Sequence, residues 1–101
     1  MIENGVLHHI EIYVDDLAIT KEFWGWLLYR LDYEIHQEWE DGMSFKKHDT
    51  YIVFVQTQAK YKNHPYHRCH SGLNHLAFHA SRDLIDSIKK ELHDRDVTIL
   101  Y

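Results

Sequence analysis

The sequence has few of the features that mark secreted, membrane or nucleic-acid-binding proteins. Its 101 residues include one cysteine, which excludes a disulfide framework and favours a reducing compartment. No apolar run is long enough to span a membrane, and residues 1–4 lack the basic segment of a secretory signal. The net charge of −5 argues against a broad nucleic-acid surface. We expect a cytoplasmic protein that binds neither membranes nor nucleic acids.

The residues that are present indicate a single globular domain spanning residues 1–101. A hydrophobic content of 45%, with 14% aromatic residues, is typical of a folded chain with one core. The ten histidines are the compositional outlier, because surface imidazoles begin to gain charge near roughly pH 6.

One stretch of the sequence is repeated. The run His9-Ile-Glu-Ile-Tyr-Val-Asp-Asp-Leu is echoed 66 positions later by His75-Leu-Ala-Phe-His-Ala-Ser-Arg-Asp-Leu. In each copy a histidine starts an alternating run typical of a strand, and a polar break then supplies a helix N-cap. This repeat indicates a duplicated strand–helix module. If the copies face each other, the imidazoles of His9 and His75 meet.

The first module, residues 6–57, is predicted to be β-α-β-β-β. Its strands are expected at 6–14, 33–40, 43–47 and 51–57, with a hairpin turn at Asp41-Gly42. Its helix, 17–29, follows the capping pair Asp15-Asp16. Gly25 weakens this helix by roughly 1 kcal/mol relative to alanine and usually signals close packing. The pattern predicts a buried stripe of Ile19, Phe23, Trp26, Leu27 and Arg30.

The rest of the chain is predicted to be a polar connector, 58–71, and a partial second module, 72–101. This module should contain a strand at 73–80, a helix at 82–95 and a further strand that begins at 97. Compared with the first module it lacks roughly twenty residues, or two strands.

The two repeated runs, with Gly72-Leu-Asn-His-Leu-Ala-Phe as the most specific segment, resemble the first strands of the two modules of the vicinal oxygen chelate superfamily. This superfamily includes glyoxalase I, bleomycin-resistance proteins, fosfomycin-resistance enzymes and extradiol dioxygenases. The resemblance implies an α+β fold in which paired β-α-β-β-β modules form an open barrel around a divalent metal ion. It places His9 and His75 at the ligand positions of the first strands.

The resemblance places the other ligands on the last strand of each module. In the first module Gln56 or Thr57 is the nearest polar candidate, and in the second that strand, with its expected glutamate, is missing. Imidazole ligands suit Zn, Ni, Mn, Fe or Co.

Three more residues are candidates for catalytic roles. Glu11 and Tyr13 share the His9 face of the first strand, and His79 shares the His75 face, so they could act as acid/base or orienting groups or serve only at the surface. Segment 64–70 contains three histidines and a cysteine, which suggest a zinc site. Their spacing matches no standard site, so the alternative is a solvated loop that covers the pocket mouth.

The resemblance thus implies a metal-dependent lyase, isomerase or dioxygenase that acts on a small vicinal-oxygen substrate. Two alternatives stay open. One is a metal-free drug-binding protein of the bleomycin-resistance type, and the other is an inactive, truncated member of the family. Because the partial second sheet would expose an unpaired edge, we expect a homodimer.

Overall fold

A computed structural model of the protein describes residues 3–100. The chain divides into two compact units, with the boundary between Pro65 and Tyr66. The second unit contains one helix, which we call α2 (Arg82–Asp94). The first unit contains four strands, one helix and a short 3-10 turn: β1 (His9–Val14), α1 (Leu17–Arg30), β2 (Glu34–Trp39), β3 (Gly42–Lys47), β4 (Thr50–Gln56) and the turn Ala59–Tyr61.

The four strands form one mixed sheet in the order β1-β4-β3-β2. Strand β1 runs parallel to β4, with His9 opposite Tyr51, whereas the β3–β4 and β2–β3 pairs are antiparallel. The register of β2 shifts between Ile35 and Gln37, which leaves His36 as the extra residue of a bulge. The α+β class and the β-α-β-β-β order predicted for the first module are confirmed.

The predicted start signals of both helices are also confirmed. The Asp16 carboxylate accepts a hydrogen bond from the Ile19 amide at 3.0 Å, and the Ser81 hydroxyl accepts one from the Leu84 amide at 3.2 Å. Both contacts satisfy an amide that the first turn of a helix leaves without a partner.

The buried side of α1 differs from the predicted stripe. Leu28 is completely buried and Trp24 packs against Phe54 with ring centroids 5.6 Å apart, whereas Ile19 is 65% exposed. The prediction was wrong for Ile19 and missed Leu28, whereas Phe23, Trp26, Leu27 and Arg30 are half-buried. Because α1 is apolar on almost every side, periodicity alone does not identify the face that meets the sheet. The contact of Gly25 with the Phe45 ring belongs to the same buried side.

The second unit also differs from its predicted secondary structure. Residues 73–80 are not assigned to a strand, and neither are residues 97–100; Tyr101 lies outside the described residues. In the first unit β1 is stabilised by β4, the last strand of its module. Among residues 66–100 no strand is assigned after α2, so the pairing of β1 with the last strand of its module has no counterpart in this unit.

Candidate functional site

The sheet of the first unit has one face that packs on α1 and one that does not. Phe45 and Phe54 lie on the helix side, where they contact Gly25 and Trp24. Successive side chains of a strand point to opposite faces. The register therefore places His9, Glu11 and Tyr13 of β1 on the face away from α1, and all three are exposed: they stand beside Tyr51, Val53 and Val55 of β4. We call this the open face.

The imidazole of His9 is held in a cluster of aromatic rings. It stacks on Tyr51, with ring centroids 4.8 Å apart and ring planes 3° from parallel. The same Tyr51 ring meets the edge of His8 at 5.1 Å and a tilted His36 ring at 5.6 Å. Stacking of this kind restricts the rotation of His9 and therefore fixes the direction in which its ring nitrogens point.

One nitrogen of His9 already has a hydrogen-bond partner. Its Nδ1 lies 2.9 Å from Nδ1 of His8, so one of the two neutral rings donates and the other accepts. Where His9 is the donor, its other ring nitrogen, Nε2, keeps the lone pair that can bind a metal ion.

A buried hydroxyl lies on the same open face. Ser44 of β3 pairs with Val53, which in turn pairs with Glu11, so the three residues form a row across the sheet. Ser44 is 1% exposed, and its Oγ has no hydrogen-bond partner among the described residues. Such an orphaned hydroxyl is costly, because burial removes its bonds to water without replacing them.

Gln56, the third metal-ligand candidate, is placed apart from His9. It pairs with Val14 at the far end of the β1–β4 ladder, five residues along from the His9–Tyr51 pair, which corresponds to about 16 Å of strand. Its side-chain amide bonds to backbone atoms of Leu17, Asp15 and Thr57. The structure therefore shows Gln56 in contact with the β1–α1 turn and does not bring it to His9.

The second histidine, His75, also has a ring nitrogen in contact with the residue that precedes it. Its Nδ1 lies 2.8 Å from Oδ1 of Asn74, and Nδ2 of Asn74 donates to the Arg68 carbonyl at 2.8 Å. Nε2 is again the ring nitrogen with metal-donor capacity. His79 lies four residues further along the same segment and is exposed.

The histidine-rich loop forms its own small cluster in this unit. The rings of His67 and His70 stack with centroids 5.0 Å apart, and Nδ1 of His67 accepts a hydrogen bond from the Cys69 amide at 3.1 Å. The lone pair on Nδ1 of His67 is therefore already used by a backbone amide, as in a folded loop.

The imidazoles of His9 and His75 are suitable ligands for a divalent metal ion, but two ligands are fewer than such a site needs. Each supplies an imidazole nitrogen, but catalytic zinc sites use about three protein ligands. Among residues 3–100, no three histidine, cysteine, aspartate or glutamate side chains form a group that could hold a metal ion. No helix in this described range is long and apolar enough to cross a membrane.

A separate cavity of about 480 Å³ lies on the helix side of the sheet, between α1 and β2. Its walls include Trp26, Tyr29, Tyr33 and Phe45. Burial raises the pKa of the Tyr33 hydroxyl above its ordinary value. This cavity has no residue in common with the His9 cluster.

The residues that sequence reasoning missed are His8, Tyr51 as a support for His9, and Asn74. For His8 and Asn74 a signal was present: each directly precedes a candidate ligand, and each has a side chain that can hydrogen-bond to an imidazole. The stacking of Tyr51 on His9 depends on strand register, which the sequence does not reveal.

Comparison with known proteins identifies the family of this chain. No protein-family model matches it. The uncharacterized protein YqjT of Bacillus subtilis is 45% identical over 96 residues, which are 94% of this chain and 75% of that protein. A crystal structure of a candidate glyoxalase from Bacillus halodurans has a TM-score of 0.94 and 48% identity, and the match covers 97% of this chain and 74% of that one.

Oxidase ChaP-H2 shares the fold, with a TM-score of 0.62 at 16% identity over 93% of this chain and 65% of that one. The chain spans about three-quarters of the length of YqjT and of the candidate glyoxalase. Together with the mixed sheet, the 48% identity over most of both chains shows that this chain belongs to the glyoxalase/dioxygenase family of the vicinal oxygen chelate superfamily.

Proposed function

We propose that this chain is a metal-dependent lyase, isomerase or dioxygenase that acts on a small substrate with neighbouring oxygen atoms. In this proposal Nε2 of His9 and Nε2 of His75 supply two of the metal ligands. The observation that carries it is the location of His9 on the open face, where its ring is restrained by Tyr51 and its Nδ1 is bonded to His8. The equivalent position of His75 in the sequence repeat supports it.

A bound divalent ion would supply Lewis-acid polarisation of two neighbouring substrate oxygens. The other roles fall to side chains on the open face. Glu11 and Tyr13 follow His9 at steps of two residues, which is about 6.6 Å along the strand per step. We assign Glu11 as the group that accepts a proton from the substrate and Tyr13 as a hydroxyl that orients it. His79 is the corresponding acid/base candidate of the second copy.

The test is metal analysis of the tag-free, metal-reconstituted full chain. We expect about one metal ion per site in the unchanged protein, and its loss in His9→Ala, His75→Ala and the double variant. His93→Ala on α2 is the matched control, because it removes an imidazole that the proposal does not use. Equal and negligible metal in all five proteins would overturn the proposal.

One observation favours a second candidate function, metal-free binding of a flat ligand. The rings of His9, His36 and Tyr51 form an aromatic group beside the open face, and such groups can stack on planar molecules. Fluorescence titration with a planar cationic drug separates the two functions. Drug binding that persists in the His9→Ala/His75→Ala variant and is lost in Tyr51→Leu would support the binder.

A further inference from the structure

The two candidate ligands share a feature that involves the residue directly before each of them. In the second unit the Asn74 side chain contacts Nδ1 of His75 at 2.8 Å, and in the first unit the His8 side chain contacts Nδ1 of His9 at 2.9 Å. The contact therefore occurs in both copies of the repeat, on the same ring nitrogen and from the same sequence position.

In the second unit the direction of this hydrogen bond is determined by chemistry. The Arg68 carbonyl can only accept, so the atom of Asn74 that bonds to it at 2.8 Å must be the amide nitrogen Nδ2. The other amide atom, Oδ1, then faces His75 and can also only accept. Nδ1 of His75 must therefore carry the proton, and in the neutral ring Nε2 must carry the lone pair.

In the first unit the contact joins two nitrogens of the same kind, so one ring is protonated on Nδ1 and its neighbour is not. If His9 donates to His8, His9 has the same tautomer as His75, with its lone pair on Nε2. The stacking of His9 on Tyr51 at 4.8 Å restricts the rotation of the ring that makes this contact.

We infer that Asn74 and His8 are positioning residues that select the Nδ1–H tautomer of His75 and His9. Each tautomer leaves Nε2 as the only ring nitrogen with a free lone pair. A metal-binding histidine commonly donates its other N–H to such a partner, which fixes the ring and raises its basicity as a ligand. The use of these lone pairs for a metal rests on the proposed function, whereas the tautomers themselves do not.

The test is a long-range proton–nitrogen correlation spectrum of the metal-free, ¹⁵N-labelled full chain at roughly pH 8.5, where imidazoles are neutral. The nitrogen shifts distinguish a protonated from an unprotonated ring nitrogen, and His9→Gln and His75→Gln assign the signals. We expect both histidines to carry the proton on Nδ1. A proton on Nε2 of His75 overturns the inference for the second copy, and a proton on Nε2 of His9 overturns it for the first.

Matched variants separate tautomer selection from a general structural role. Asn74→Leu removes the acceptor at nearly constant size, and we expect His75 to shift toward the Nε2–H form preferred by a free imidazole. Asn74→Asp retains an acceptor oxygen and should keep the Nδ1–H form. In the first copy His8→Leu is the disrupting variant and His8→Asn, which copies the second unit, is the conservative one. An unchanged tautomer in either leucine variant overturns the inference for that copy.

Metal titration then distinguishes this inference from the proposed function. With Zn²⁺ or Ni²⁺ as the probe, Asn74→Leu should weaken binding by about 10–100-fold, and Asn74→Asp should not. Correct tautomers without any metal binding would overturn the proposed function and leave the inference standing. Metal binding by a protein whose metal-free form carries the His75 proton on Nε2 would overturn the inference and leave the proposed function standing.

Discussion

The side-chain oxygen of Gln56 accepts a hydrogen bond from the amide of Leu17 at 2.9 Å, which joins the end of β4 to the first turn of α1. The Leu17 amide is one of the four that a helix leaves without intrahelical partners. Nε2 of Gln56 also donates to the Asp15 carbonyl at 2.8 Å and to the Thr57 carbonyl at 3.1 Å. Gln56 therefore stabilises the β1–α1 turn against the sheet.

We predict that Gln56→Ala lowers the free energy of unfolding by about 1–3 kcal/mol, because it leaves partly buried backbone groups unsatisfied. Gln56→Glu should also destabilise, because a carboxylate oxygen would replace Nε2 and face the carbonyls of Asp15 and Thr57. Urea unfolding measures both changes. Gln58→Ala, an exposed position, is the control and should change stability by less than about 0.5 kcal/mol. A stable Gln56→Glu variant with tighter metal binding would instead support Gln56 as a ligand.

The parts of the fold that sequence reasoning predicted depend on local signals. Alternation along β1, the capping side chains of Asp16 and Ser81, and the hairpin turn, which lies at Glu40-Asp41, one position before the predicted Asp41-Gly42, each involve only a few consecutive residues. Each signal can therefore be recognised in the sequence without knowledge of the tertiary structure. The placement of His9 on a polar face of β1 follows from the same alternation, so this half of the candidate site was also accessible from sequence.

The parts that were missed depend on contacts between distant residues. The bond between Leu17 and Gln56 spans 39 positions, and no local pattern in either segment indicates it. The face of α1 that meets the sheet was misidentified because apolar residues surround the helix. The segment at 73–80 has the alternation of a strand, but a strand also needs a partner, and alternation does not show whether one exists.

We predict opposite effects of alanine at two glycines. A Cβ at Gly25 would lie 3.8 Å from Cζ of Phe45, an ordinary contact, so Gly25→Ala should stabilise α1 by about 1 kcal/mol through helix propensity. A Cβ at Gly42 would clash with the Trp39 ring and lie 2.8 Å from the Phe54 carbonyl oxygen, so Gly42→Ala should destabilise by about 1–3 kcal/mol. Thermal unfolding of the two variants checks both signs. Destabilisation by Gly25→Ala would show that α1 packs more tightly on β3 than the structure indicates.

We predict that Tyr51 supports metal binding through its ring and not through its hydroxyl. Tyr51→Leu removes the stacking that restrains His9 and should weaken Zn²⁺ or Ni²⁺ binding by about 2–10-fold, the equivalent of one aromatic pair. Tyr51→Phe should bind as the unchanged protein does. Calorimetric titration measures the affinities, with Tyr29→Leu on α1 as the control. Equal losses in the phenylalanine and leucine variants would assign the effect to the hydroxyl.

We predict that the Tyr33 hydroxyl ionises at a higher pH than an ordinary tyrosine hydroxyl. Burial raises the pKa of its hydroxyl above the ordinary value of about 10, because the folded state favours the neutral phenol. Its contribution to stability is therefore fully present below about pH 10 and is lost as the pH rises through the higher folded-state value. An absorbance titration of tyrosinate, with circular dichroism in parallel, should lose its latest phase in Tyr33→Phe. Loss of an earlier phase in Tyr33→Phe, with the latest phase unchanged, would contradict the prediction.

We predict that Ser44→Ala raises the free energy of unfolding by roughly 1 kcal/mol, because it removes a buried hydroxyl that has no partner among the described residues. The change leaves β3 and its pairing with Val53 intact, since only one side-chain atom is lost. Ser71→Ala, at an exposed position of the second unit, should be nearly neutral and controls for the chemical change itself. Urea unfolding measures both variants. A destabilised Ser44→Ala protein would mean that the hydroxyl is hydrogen-bonded in solution, and weaker substrate binding in the same variant would assign that bond to a ligand on the open face.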